Sequence, residues 1–224
     1  SAMKLTGNRF LTGKGFGVHS PWAYDLIENV INEKLPYYAY DDLYKFWQKA
    51  PDWLPQYPQS RDELVFRLVN RFNPKYIVEV GTGAGVTTGY LASVNSRSEV
   101  VTIDMAHQSN RNVARNLKTF DNISYLTGDV LETLRDVIEK THANGTAIDF
   151  VHVAHTPLFR ETVSELIPEM GRDAVMVIED LGKKEKKEWW KELIENPRIG
   201  VTFQLSKTGI LFFDGSKSKQ HYIL

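Results

Sequence analysis

From Lys75 onward the chain alternates short apolar runs with helical stretches, and this rhythm restricts its fold more than any other feature. Tyr76 to Val80, Val100 to Ile103, Ile123 to Leu126, Phe150 to Val153 and Val175 to Ile178 are apolar runs bounded by polar residues, and they read as buried parallel strands. Helical stretches lie between them, around Thr87 to Val94, Ser109 to Phe120, Leu131 to Lys140, Leu158 to Met170 and Lys184 to Glu195. Parallel strands need a long crossover, so this alternation predicts an α/β fold with a doubly wound, mostly parallel sheet. Val201 to Leu205 and Ile210 to Phe213 are joined only by Ser206 to Gly209. That spacing predicts a C-terminal hairpin, with an antiparallel edge closing a seven-stranded sheet.

Up to about Phe72 no strand is legible. Ser20 followed by Pro21 starts a helix whose Trp22, Leu26, Ile27, Val30 and Ile31 share one face. A second helical stretch, Tyr40 to Ala50, ends at Pro51, and Pro55 and Pro58 hold an aromatic-rich connector with Trp53 and Tyr57. Ser60 with Glu63 has the capping-box spacing ahead of Leu64, Val65, Leu68, Val69 and Phe72, and Asn73 with Pro74 stops that helix. The expected division is an N-terminal helical lid or extension, 1–73, and an α/β domain, 74–224.

Composition removes several classes of function. With 224 residues, 42% hydrophobic and 25% charged, the chain can bury one sizeable core. Lys plus Arg number 27 against 28 Asp plus Glu, so no overall field favours nucleic acid. The absence of cysteine excludes disulfides, thiolate metal sites and a cysteine nucleophile. No apolar run approaches the roughly 20 residues of a bilayer span, and the N-terminus lacks a basic segment followed by a hydrophobic one. A cytoplasmic protein without a membrane partner is expected.

The sharpest motif is EVGTGAGVTTGY, Glu79 to Tyr90, where the first strand of the alternation should end and a helix begin. Gly81, Gly83 and Gly85 let the chain turn tightly and bring amide groups and the helix N-terminus towards a ligand. The spacing is not that of a dinucleotide fingerprint, since counting from Gly81 puts Val86 in the last glycine position, and counting from Gly83 puts Thr88 there. It is not a P-loop either, because no Lys follows at the required place. The next strand, VVTID, ends in Asp104 about 20 residues beyond the loop, where a carboxylate can take both hydroxyls of a ribose.

At these residues the sequence resembles the class I S-adenosylmethionine-dependent methyltransferases, from about Pro74 to the C-terminus. The resemblance implies a Rossmann-like fold and S-adenosylmethionine as cofactor. It implies Glu79, Gly81, Thr82, Gly83 and Gly85 around the amino-acid part of the cofactor, with the Thr87 hydroxyl near its carboxylate. Asp104 would then bind the ribose beside Met105 at the adenine. The loop LTGDVLETL would supply Gly128, Asp129 and Val130 at the adenine edge, Asp129 accepting from the adenine amino group. More narrowly, GVHSPW around His19, PYYAYDDL around Tyr38 and VTFQLSKTGILFF resemble a bacterial group common in Bacteroidetes with an N-terminal HSP element. More distant relatives are catechol-type O-methyltransferases, in which an acid at the end of strand four ligates a divalent cation.

The sequence departs from those relatives at that point. Strand four runs DFVHVAHTP, with Ala154 at the acid's position. Glu179 and Asp180 end strand five, but two adjacent carboxylates without a third partner make a poor octahedral oxygen site, so no catalytic metal is predicted. Methyl transfer is an in-line displacement that needs positioning and exclusion of water, and a base where the acceptor is protonated. His155 is the first candidate, with Asp180 and Glu179 beside it. His152 ranks lower because it points to the face opposite Val153. His19 is a third catalytic candidate if the N-terminal segment folds over the open end of the sheet with Tyr37, Tyr38 or Tyr40. Trp22, Phe46, Trp47 and Trp53 fit core or docking positions better. The run KKEKKEWWKE reads as a solvated helix face, with one of Trp189 and Trp190 a candidate oligomer contact.

The expected activity is methylation of a small-molecule oxygen or nitrogen. The alternatives are a cofactor-binding protein with lost or regulatory activity, motivated by Ala154, and an RNA or protein methyltransferase. Against nucleobase amino-group methylation, VAHTPL stands where an Asn or Asp, two prolines and an aromatic would be required.

Overall fold

The computed structural model describes residues 9–11, 18–48, 59–105 and 107–224. The proline-rich connector with Trp53 and Tyr57 lies outside the described residues. In chain order the elements are β1 (Arg9–Leu11), α1 (Pro21–Leu26, continued by a wider turn over Ile27–Ile31), α2 (Tyr38–Gln48), α3 (Ser60–Phe72), β2 (Tyr76–Val80), α4 (Val86–Ser93), β3 (Glu99–Asp104), α5 (His107–Asn116) and β4 (Ile123–Thr127). There follow α6 (Val130–Asn144), β5 (Phe150–Val153), α7 (Phe159–Leu166), β6 (Val175–Ile178), α8 (Lys184–Leu193), β7 (Val201–Gln204), β8 (Gly209–Phe212) and β9 (Gln220–Ile223). No helix among the described residues is long and apolar enough to cross a membrane.

The sheet order is β1-β9-β7-β8-β6-β5-β2-β3-β4. The α/β alternation is therefore realised, but with nine strands among the described residues where seven were expected. Among the described residues β8 is the one antiparallel strand, and it lies between β6 and β7 instead of closing the edge. β7 runs parallel to β9, which in turn runs parallel to β1. The two additional strands cover backbone groups that β7 would otherwise leave unpaired at the sheet edge. β9 is fastened by Tyr222 stacked on Phe203 at 5.1 Å and by a 2.6 Å hydrogen bond between the Thr202 hydroxyl and His221 Nδ1.

β2, β5 and β6 are buried throughout, as apolar strands covered on both faces must be. One face packs Val78, Val80, Val151, Val153, Met176 and Ile178 under α6, α7 and α8. The other packs Ile77, Val100, Phe150, Val175 and Val177 under the α1 segment, α3 and α4. Ser20 caps α1, accepting from Ala23 N at 3.3 Å, and Arg67 ties the end of that segment to α3 by donating to Val30 O at 2.7 Å and Ile31 O at 3.0 Å. The cap of α3 lies one residue earlier than its sequence pattern indicated: Gln59 N donates to Asp62 Oδ2 at 2.7 Å, so the box is Gln59 with Asp62. Asn73, in the left-handed region at φ 44°, ends that helix.

Neither Trp189 nor Trp190 marks an exposed contact. Trp189 packs edge-on to Phe159 at 4.8 Å, and Trp190 donates from Nε1 to Gln204 Oε1 at 2.9 Å. Both are buried, and so is Lys186 in the same charged run. A face of α8 that looks solvated in the sequence therefore belongs to the core.

Candidate functional site

The sheet order reverses between β2 and β5, since β3 and β4 follow on one side of β2 while β5 and β6 extend on the other. A crevice at the carboxyl ends of the strands is expected at that switch point. Gly81 leaves β2 there at φ 95°, and a Cβ on it would lie 1.6 Å from the Ala154 carbonyl oxygen at the end of β5. Only a bare backbone allows the two strand ends to approach this closely.

The glycine loop and Asp104 meet. Gly83 N donates to Asp104 Oδ2 at 2.9 Å, and Gly128 N lies 3.4 Å from Asp104 O, so one residue joins the loops that follow β2, β3 and β4. Gly83 and Gly128 both have positive φ, 54° and 144°. A Cβ on Gly83 would sit 2.9 Å from Cδ2 of His155, so the imidazole rests on the loop. Gly85 has another role, because a Cβ there would lie 2.3 Å from Cγ1 of Val113; this glycine admits α5.

His155 and Asp180 follow β5 and β6 at φ 44° and 63°, and with Asn73 they are the non-glycine residues of positive φ among those described. Backbone held in this sparsely populated region at two neighbouring strand ends is a common mark of a working site. His155 is exposed by area, yet the protein around its ring lowers its pKa, with Asp180 opposing and Arg61 adding to the shift. The imidazole is therefore neutral at neutral pH and able to accept a proton. A ring titration followed by NMR should place the His155 midpoint below the ordinary value of about 6.5; a midpoint above it would contradict this environment.

Beneath these strand ends lies a buried chain of polar side chains. Glu79 is fully buried; its Oε1 accepts from Thr102 Oγ1 at 2.8 Å and from Thr88 Oγ1, and its Oε2 faces His152 Nδ1 at 2.8 Å. On its other side His152 Nε2 lies 3.3 Å from Glu179 Oε1, and Thr208 donates to Glu179 Oε2 at 2.7 Å. Lys186 Nζ donates to the Glu179 carbonyl at 2.9 Å. Strand register produces this chain, since Glu79 is directly opposite both Thr102 and His152. Burial opposes protonation of His152, but hydrogen bonds to Glu179 and Glu79 outweigh it and raise the pKa to about 9. His152 is thus an imidazolium between two carboxylates, and its position opposite Val153, the reason for ranking it low, is what brings it to Glu79.

Other residues of the motifs hold supporting positions. Thr82 is buried and shares a 2.6 Å hydrogen bond with the Thr102 hydroxyl. Thr87 donates to Asp62 Oδ1 at 2.6 Å. Met105 is exposed beside Asp104, Asp129 caps α6 by accepting from Glu132 N at 2.8 Å, and Val130 packs in the core with Leu134.

His19 does not reach this edge. Trp22, three residues on, packs edge-on to Phe212 at 4.9 Å, with Lys217 over its ring, and Phe212 pairs with Val175 at the start of β6. The α1 segment therefore begins at the opposite end of the strands. Tyr37 and Tyr40 pack with Phe66, while Tyr38 projects outward at 94% exposure. Among the described residues, the N-terminal part brings to the carboxyl edge the start of α3, namely Arg61, 3.7 Å from Asp180, and buried Asp62. Neither belongs to a site motif in the sequence; the cap pattern is the available signal, and its spacing points one residue late.

No cluster of three or more His, Asp or Glu among the described residues is arranged to hold a metal. No family model and no curated protein matches the chain. Solved structures do match. A Staphylococcus aureus protein described as a candidate caffeoyl-CoA O-methyltransferase aligns over 86% of this chain and 97% of its own, at 16% identity and a TM-score of 0.63. The O-methyltransferase TomG of Streptomyces achromogenes, in complex with SAM, aligns over 86% and 96% at 16% identity and TM-score 0.61. A Bacillus cereus O-methyltransferase in complex with SAH aligns over 84% and 96% at 14% and 0.59. The fold is the Rossmann-like one that these methyltransferases share.

Proposed function

We propose that the chain is an S-adenosylmethionine-dependent methyltransferase acting on a small-molecule oxygen or nitrogen. The observation that carries this reading is the 2.9 Å hydrogen bond from Gly83 N to Asp104, which joins the glycine loop to the strand-end acid at the switch point. The cradle fits an adenosyl cofactor: Gly81, Thr82 and Gly83 would border its amino-acid part, Asp104 its ribose, and Met105, Gly128 and Asp129 its adenine. Glu79 belongs to this set as a positioning residue, because both of its oxygens are engaged within the protein. Gly85, Thr87 and Val130 support the loop and α6 in the same indirect way. When bound, S-adenosylmethionine supplies an electrophilic methyl group on a sulfonium.

The chain's own residues orient the acceptor and handle its proton. His155 is the general base, neutral and resting on the loop, and Asp180 next to it beyond β6 orients the acceptor and balances the imidazolium that forms. Of the 1–73 extension, the start of α3 covers this side of the site. A second reading, a cofactor binder without turnover, draws on Ala154, which is buried against Gly81 where metal-using relatives carry an acid.

Calorimetry with S-adenosylmethionine and S-adenosylhomocysteine tests the cofactor; binding of neither at micromolar concentration would end both readings. Asp104→Ala is expected to weaken S-adenosylhomocysteine by about tenfold or more, since it removes a charged acceptor and releases Gly83 N. Labelled methyl transfer to a metabolite extract separates turnover from binding alone.

A further inference from the structure

Arg61 stands at the acceptor side of the site with its Nε donor unspent among the described residues. A guanidinium carries five N–H donors in a planar fork. Among the described residues, Nε of Arg61 is buried without a hydrogen-bond partner, and its ion pair is with Asp180, 3.7 Å from Nη1 and beyond hydrogen-bond length. Lys183 Nζ lies 3.8 Å from the same carboxylate, so Asp180 is shared between two cations. The side chains of Arg61 and Asp180 are 24% and 21% exposed, enclosed but reachable. A partly buried guanidinium with an unbonded Nε is costly, and its fork matches a carboxylate or phosphate in shape.

Position along the sheet edge decides which anion this is. Asp104 ends β3, the glycine loop follows β2, His155 follows β5 and Asp180 follows β6, and these strands are neighbours in that order. Arg61 is at the β6 end, across the base from the ribose acid. We propose that Arg61 determines acceptor specificity, its fork taking an anionic group, carboxylate or phosphate, of the molecule to be methylated. This inference rests on the methyltransferase reading.

The test is calorimetry on the full chain, with and without saturating S-adenosylhomocysteine, using inorganic phosphate and succinate as probes and neutral succinamide as control. Both anions should bind the S-adenosylhomocysteine-loaded protein in the millimolar range and succinamide should not. Arg61→Gln should weaken the anions by about tenfold or more while S-adenosylhomocysteine changes by less than about threefold, which also reports that the variant is folded. Arg61→Lys should keep part of the anion affinity as a point charge. Anion binding that is absent, or equal in wild type and Arg61→Gln, overturns the proposal. So does an Arg61→Gln variant that loses S-adenosylhomocysteine but keeps 5′-methylthioadenosine, because the fork would then hold the cofactor's own carboxylate. Loss of both nucleosides would make Arg61 a structural residue and also overturn it. Wild-type protein that binds no S-adenosylhomocysteine fails the methyltransferase reading itself and removes the acceptor assignment with it; S-adenosylhomocysteine binding without anion binding fails this proposal alone.

Discussion

Replacing His152 by alanine is expected to cost about 3–5 kcal/mol, the range for removing one partner from a buried ionic network. Glu79 and Glu179, both buried, would be left with no cation between them. Urea denaturation measures the loss, and its pH dependence identifies the cause. In the wild type the folded-state pKa of His152, about 9, lies above its unfolded value of about 6.5. Its contribution is therefore fully present below about 6.5 and is lost as pH rises through about 9. His152→Ala should lack this alkaline-side loss, because the titrating group is gone. A loss under about 1 kcal/mol, or a variant that keeps that alkaline-side loss, would mean that the network does not carry its charge across three strands.

Gly81→Ala should be comparably severe for a different reason. The new Cβ would meet the Ala154 carbonyl oxygen at 1.6 Å, and since that oxygen is backbone and a Cβ has no torsion to move it, neither can turn aside. The φ of 95° adds the strain of a left-handed alanine, about 1–2 kcal/mol. Gly145→Ala is the matched control, because Gly145 has φ 64° with no atom within 4 Å of where its Cβ would stand, and it should cost only about 1–2 kcal/mol. Gly81→Ala is expected to exceed that by about 3 kcal/mol or more and to abolish S-adenosylhomocysteine binding, because the ends of β2 and β5 must separate. Equal stability of the two variants would show that the strand ends yield freely, and that the crevice is not a rigid cradle.

The parallel strands and crossover helices were legible because periodicity is a local signal that burial on both faces makes strong. β9 was not: its sequence QHYI is short and half polar, and it becomes a strand by pairing with the open edge of β7. The insertion of β8 between β6 and β7 was hidden for the same reason, since a hairpin signal joins two strands without saying which of them meets the sheet. At the site, the glycine spacing and Asp104 could be read from adjacent segments, whereas Arg61 comes 20 residues before the loop and reaches Asp180 only through the packing of α3.

Alternation along the strands showed that His152 and Val153 face opposite ways, but not that Glu79 and Glu179 wait on the face of His152. His19 looked like a lid residue because chain order does not reveal which end of the sheet a helix starts from. By itself, the sequence determined the layer architecture and the glycine loop with its strand-end acid, because these depend on side-chain period and on backbone freedom at single residues. Tertiary structure alone decided the Glu79–His152–Glu179 chain, the approach of Arg61 to Asp180 and the exclusion of His19, because each depends on strand register and helix direction between segments far apart in the chain.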